Sequence, residues 1–184
     1  LPNGTFVTTT SASEVVTANG TYSFVIHDNA GNSTTKSITV SNIDKTAPTG
    51  TLTQTPTGAT NGNVTLNLTS IADTGGSGYY RTQLPNGTFV TTTTASEVVT
   101  SNGTYSFVVY DNAGNSTTKT ITVSNIDKTL PTGDISQTPT GATNGDVTLN
   151  LTAIADTGGS GYYRTKLPNG TFVTTTSASE VVTT

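Results

Sequence analysis

Val64, Leu66 and Leu68 alternate with Thr65, Asn67 and Thr69, a period of two that predicts a strand with one buried face and one wet face. Thr51 to Thr55 reads as a shorter strand before it, closed by the turn-rich run from Pro56 to Gly62. After the glycine-rich loop Asp73 to Gly78, a strand from Tyr79 to Leu84 reverses at Pro85-Asn86-Gly87 into Thr88 to Thr92. Asn-Gly between two strands is a strong hairpin signal, because both residues tolerate positive φ. Glu97 to Thr100 gives a fifth strand, and Tyr105, Phe107 and Val109 alternate along a sixth. The run Asp111-Asn112-Ala113-Gly114-Asn115 turns into a seventh that carries Ile121 and Val123. Seven short strands with turn signals every ~8–12 residues predict an all-β antiparallel sandwich.

The whole pattern recurs. LPNGTFVTTT begins at Leu1, at Leu84 and at Leu167, a period of 83 residues, and residues 1–101 match residues 84–184 at more than eight positions in ten. That period is too long for one coil of a solenoid and close to the ~100 residues of a seven-stranded sandwich. Each unit is therefore expected to be a domain. The boundaries put the C-terminal half of one repeat at 1–44, a complete repeat at 45–127 and the N-terminal part of the next at 128–184. Starting inside a repeat, the chain is read as a window on a longer polypeptide.

Composition sharpens this picture. The apolar share is 31% without glycine, and with the 19 glycines added it is still below the share of about 45–50% in globular domains counted that way. About a quarter of the residues are Thr, whose branched body suits a pleated surface while its hydroxyl faces water. The cores are expected to be thin. Cys is absent, which excludes disulfides, thiolate metal sites and a cysteine nucleophile. The net charge is −4 and the seven Lys and Arg are scattered, so nucleic acid, which needs a basic footprint, is not an expected partner. No run approaches the ~20 apolar residues of a membrane span, so no membrane insertion is expected in this segment.

Asn102-Gly103-Thr104-Tyr105-Ser106-Phe107 resembles the start of the sixth strand of the immunoglobulin fold, with Tyr105 in the place of the tyrosine that bonds back to the backbone and Phe107 in the place of the core cysteine. Tyr22 and Phe24 repeat the arrangement. Asp73 to Gly78 (DTGGSG), Asp111 to Asn115 (DNAGN) and Ile43 to Pro48 (IDKTAP) are similar to strings in bacterial immunoglobulin-like tandem repeats of surface adhesins and S-layer-associated proteins. The tryptophan frequent in that family's third strand is replaced by Tyr79 and Tyr80. The resemblance implies tandem immunoglobulin-like sandwiches on a bacterial cell surface or in the extracellular medium. It also makes Asp44 to Pro48 and Asp127 to Pro131 interdomain linkers, with Pro48 fixing φ and limiting Ala47 to extended conformations.

In that topology the linker enters at the end of the sandwich that carries the Asp73 and Asp111 loops. Asp44, Asp73 and Asp111 would then meet, and three carboxylates with loop carbonyls suit Ca²⁺, which takes six to eight oxygen ligands in irregular geometry. Asp127 and Asp156 would begin the same site at the next junction. The competing reading is that these carboxylates only cap turns by accepting backbone N–H groups. An internal Lys–Asn isopeptide bond has no good candidate, since Lys36, Lys45, Lys119 and Lys128 fall in turns or linkers and Lys166 is Gln83 one repeat earlier. His27 corresponds to Tyr110, and Glu occurs only at 14, 97 and 180, so neither a nucleophilic triad nor a glycosidase carboxylate pair is formed. No active site is read. Asn-x-Thr strings such as Asn67-Leu68-Thr69 follow from composition, and the tracts Thr8 to Thr10 and Thr91 to Thr94 read as solvated edges.

The expected role is a stalk or fibre module whose partners are neighbouring repeats of the same chain. Segments 128–184 and 1–44 together would make one sandwich with 18 residues in common, so strand complementation between copies in a filament is topologically open. The rival is a glycan- or protein-binding adhesin module, or an accessory domain of a secreted carbohydrate-active enzyme. Its aromatic platform would come from Tyr79, Tyr80, Tyr162 and Tyr163, because one of each pair must point outward on a strand.

Overall fold

A computed structural model describes residues 1–183 and contains fourteen strands and no helix among them. The hairpin of β1 (Gly20–His27) and β2 (Ser33–Val40) comes first, in strict antiparallel register from Gly20 opposite Val40 to His27 opposite Ser33. Seven strands follow: β3 (Thr49–Thr55), β4 (Val64–Ala72), β5 (Tyr79–Gln83), β6 (Phe89–Val90), β7 (Ala95–Val99), β8 (Gly103–Asp111) and β9 (Ser116–Val123). They form a three-stranded sheet in the order β3-β4-β7 and a four-stranded sheet in the order β6-β5-β8-β9. The remainder comprises β10 (Thr132–Thr138), β11 (Val147–Ala155), β12 (Thr165–Lys166), β13 (Phe172–Val173) and β14 (Ala178–Val182), arranged as β10-β11-β14 and β12-β13. The all-β antiparallel sandwich expected from the alternation is the architecture found.

Val64, Leu66 and Leu68 on β4, Phe107 and Val109 on β8, and Val123 on β9 are all buried. Each such side chain contributes roughly 1.5–3 kcal/mol by leaving water. Alternation along β4 stops at Thr69, yet the strand runs on to Ala72 with Ile71 buried. The cause is Ser70, held at φ 52°, with Ala153 at 53° in the equivalent place on β11. Opposite β10, Thr132 faces Ala155 and Asp134 faces Thr152, so β11 carries one extra residue, a bulge that turns Ile154 inward. The pattern in the sequence could not show this, because an inserted residue reverses the phase of a period-two signal. Tyr105 donates its hydroxyl to Ser101 O at 2.8 Å and Tyr22 to Ala18 O at 2.7 Å, the back-bond expected of both.

The chain divides into two compact units. One comprises Leu1–Leu52, Leu68–Ala95 and Ser106–Thr120, and the other Thr53–Asn67, Ser96–Tyr105 and the chain from Ile121 onward. Residues 44–48 lie inside the first unit, and residues 127–131 lie inside the second.

Candidate functional site

The Asp111 turn is built by its own sequence. Asp111 Oδ1 accepts the N–H of Asn115 at 2.7 Å and Oδ2 accepts the Asn115 side-chain amide at 2.7 Å, while Gly114 supplies a positive φ of 93° that closes the loop. In the glycine-rich loop, Asp73 Oδ1 accepts from Gly75 N at 3.2 Å, and Oδ2 accepts from Gly78 N at 2.8 Å and from the Ser77 hydroxyl at 3.4 Å. Asp44 joins these two loops. Its Oδ1 accepts from Thr46 N at 2.9 Å and its Oδ2 from Ser77 N at 3.1 Å. One oxygen from each of Asp44, Asp73 and Asp111 lies within 4.8 Å of the others. Asn115 Nδ2 also reaches the backbone oxygens of Asp44 at 3.1 Å and Thr46 at 3.3 Å, which ties the Asp111 turn to residues 44–46. Gly75 permits this approach: a Cβ there would lie 2.4 Å from Thr46 Cβ, a distance no side chain tolerates.

Residues 43–45 are also held from the preceding segment. Asn19 pairs its amide with Ile43 twice, donating to Ile43 O at 2.8 Å and accepting from Ile43 N at 2.9 Å. Lys45 Nζ donates to Thr17 O.

The same arrangement recurs 83 residues later. Asn102 donates to Ile126 O at 2.8 Å and accepts from Ile126 N at 2.9 Å, and Lys128 Nζ donates to Thr100 O at 2.8 Å. Asp127, almost fully buried, accepts from Thr129 N at 3.0 Å and from both the N–H and the hydroxyl of Ser160. The Ser160 hydroxyl also lies 3.1 Å from Asp156 Oδ2 and so joins the two carboxylates. A Cβ on Gly158 would meet Thr129 as one on Gly75 would meet Thr46. The neighbouring Ser77 hydroxyl, then the Thr46 N–H and the Ser77 N–H, hold the Asp44 carboxyl below the usual carboxylate range. Ser160 and Thr129 do the same for Asp127.

Of the residues singled out in the sequence, Asp44, Asp73 and Asp111 come together, and Asp127 meets Asp156 through Ser160. Ser77, Ser160, Asn115, Asn19, Asn102, Lys45 and Lys128 were not singled out as parts of these sites. Nearly every position recurs at the repeat period, so recurrence alone does not mark them.

The tyrosine pairs split into two environments. Tyr79 turns its hydroxyl to Thr82 Oγ1 and to the backbone oxygens of Val90 and Thr92, and Tyr162 does likewise with Thr165 and Val173. Tyr80 and Tyr163 face solvent. The Arg81 guanidinium carbon lies 4.1 Å from the centre of the Phe89 ring and 5.0 Å from that of Tyr80, and Arg164 repeats this over Phe172 and Tyr163. His27 is exposed, with the Phe6 ring centre 6.1 Å away.

A family model for the SHIRT domain matches residues 76–134. This is a bacterial repeat domain of surface and extracellular proteins and not a known enzyme family. The matched span is about a third of the chain, and it runs from the Ser77 loop through the Asp111–Asn115 turn and Asp127 into β10. The similarity places the chain, coarsely, with extracellular repeat-containing proteins of bacteria. No curated protein matches the chain.

Proposed function

We propose that this chain is a structural stalk or fibre module of a bacterial surface or extracellular protein, built of tandem immunoglobulin-like repeats at 1–44, 45–127 and 128–184. Its task is to hold another domain away from the cell. The observation that carries this reading is the two-sided grip on each linker: Asn19 and Lys45 from one side and Ser77 and Asn115 from the other, then Asn102, Lys128 and Ser160 again at the next junction. A flexible connector leaves its backbone groups to water. Here the Asn19, Asn102 and Asn115 amides meet backbone groups of residues 43–46 and 126, while the side chains of Asp44, Lys45, Asp127 and Lys128 reach out to Ser77, Thr17, Ser160 and Thr100. Such a set of contacts would restrain bending between neighbouring repeats. Uniform repeats suit a role in which length is the property being supplied.

Calcium fits the same junction as a proposal. The oxygens of Asp44, Asp73 and Asp111 and the backbone oxygens of Asp44 and Thr46 are hard ligands of the kind Ca²⁺ selects. Asn115 Nδ2 stands among those acceptors, and turning its amide over would present Oδ1 instead. Small-angle scattering of the chain, with calcium and then with chelator, tests both ideas. A rod that loosens on chelation supports stalk and ion; a rod indifferent to chelation keeps the stalk and removes the ion; a flexible particle in both overturns the stalk.

Exposed Tyr80 beside the Arg81–Phe89 stack favours one second reading, a binding module for glycans. Glycan-array binding that disappears in Tyr80→Ala would establish it, and silence across the array would remove it.

A further inference from the structure

A bulge in β5 turns two consecutive side chains outward. Tyr79 lies opposite Asp111 and Arg81 opposite Tyr110, so β5 carries Tyr80 as an extra residue against β8. In a regular strand, neighbours point to opposite faces. Here Thr82 is fully buried and Tyr79 turns its hydroxyl toward it, while Tyr80 is 48% exposed and the Arg81 guanidinium carbon stands 5.0 Å from its ring centre. Phe89 on β6, 47% exposed, and Tyr110 on β8 bring two more rings to the same cation, at 4.1 and 5.6 Å. These residues belong to the four-stranded sheet, all of whose strands lie within residues 45–127.

The rings give this cation apolar faces but no acceptor. Arg81 Nε is shut from water and has no hydrogen-bond partner. The carboxylate of Asp111, next to Tyr110, commits both oxygens to Asn115. A guanidinium is a planar fork of donors that a carboxylate matches with two parallel bonds. The chain's net charge of −4 opposes densely charged polyanions, which favours an isolated carboxylate on an otherwise neutral frame. Half-exposed aromatic rings accept the apolar C–H face of a sugar. Ser106 shares the outward face of β8 with Tyr110, and its hydroxyl pairs with that of Thr120 at 3.2 Å, so hydroxyls border the rings.

We infer that Tyr80, Arg81, Phe89 and Tyr110 form a site for a hexuronic acid, whose carboxylate pairs with the Arg81 guanidinium while its C–H face lies on the half-exposed rings. In a hexuronic acid the carboxylate projects from the rim of the sugar ring, so a cation beside an aromatic face meets stacking and ion pairing at once. An aspartate or glutamate side chain would meet the cation but has no flat C–H face for the rings. The inference rests on the glycan-binding reading of Tyr80 and names the ligand class; the stalk reading does not depend on it.

NMR titration of the intact chain with methyl glucuronide and methyl glucoside tests this, since the two differ only at the carboxylate. The glucuronide is expected to bind about tenfold more tightly or better, the factor that a hydrogen bond to a charged group supplies, and to shift the amide signals of Tyr80, Arg81 and Phe89. Arg81→Lys keeps the charge and loses the planar fork. Made together with Arg164→Lys, which changes the equivalent cation one period on, it is expected to remove most of that preference with the melting temperature unchanged. Equal binding of the two sugars overturns the inference and leaves the glycan reading standing, as does a glycan array that finds only neutral sugars. Silence on the array overturns both. A preference that survives the lysine variants, or an acetylated glutamate peptide that binds as tightly as the glucuronide, overturns the inference as well.

Discussion

Asn102 makes two hydrogen bonds to the chain just before Asp127, at the proposed junction. Its amide both donates to and accepts from the backbone of Ile126, a residue only 7% exposed. Replacing it by Ala removes both bonds and leaves a half-buried N–H and C=O without that partner. A net hydrogen bond contributes about 1 kcal/mol, and an unsatisfied buried polar group costs about 1–3 kcal/mol. Partial access to water brings the expected loss for Asn102→Ala to about 2–4 kcal/mol. Asn102→Asp keeps the acceptor for Ile126 N and loses the donor, so it should fall about midway. Urea denaturation checks this through the midpoint at constant slope, and melting checks it through a fall of roughly 4–8 °C per kcal/mol for a domain of this size. A loss under about 0.5 kcal/mol for Asn102→Ala would refute the claim that side chains hold the proposed linker.

Gly75→Ala should destabilise by about 1–3 kcal/mol, the usual cost of overpacking, because its Cβ would overlap Thr46; thermal melting reads the loss, and an unchanged midpoint would mean residues 44–46 do not lie on the loop. Phe107→Ala should cost about 3–5 kcal/mol in a denaturant titration, and Phe24→Ala well under half of that, since Phe107 is fully buried and Phe24 is not. The Asp44 and Asp127 carboxyls sit below their usual range in the folded chain, so the unfolded chain binds more protons and stability falls as pH drops through the folded values, below about pH 4. Melting temperature against pH should show that fall, and an Asp44→Asn, Asp127→Asn double variant should flatten it.

The strands were readable because β4 and β8 expose one clear face to the core and one to water, which writes a period of two into Val64–Leu68 and Tyr105–Val109. The extension of β4 to Ala72 was not, since Ser70 adopts a backbone angle that its side chain does not advertise. The acidic cluster was partly visible, because Asp44, Asp73 and Asp111 sit in turn strings whose topology could be inferred. The clasping amides of Asn19, Asn102 and Asn115 were hidden among many Asn residues in ordinary turns. Only the fold brings each one to the backbone it holds, across sequence separations of 24 residues for Asn19 and 71 for Asn115 with Asp44.

Amide hydrogen exchange followed by NMR at Ile43, Thr46, Ile126 and Thr129 tests the central claim most directly, because each of these N–H groups donates to a named side-chain oxygen. The account predicts protection at all four comparable to that of strand residues in β4 and β8. Exchange at the rate of an unstructured peptide would show these two proposed linkers free, and would contradict it.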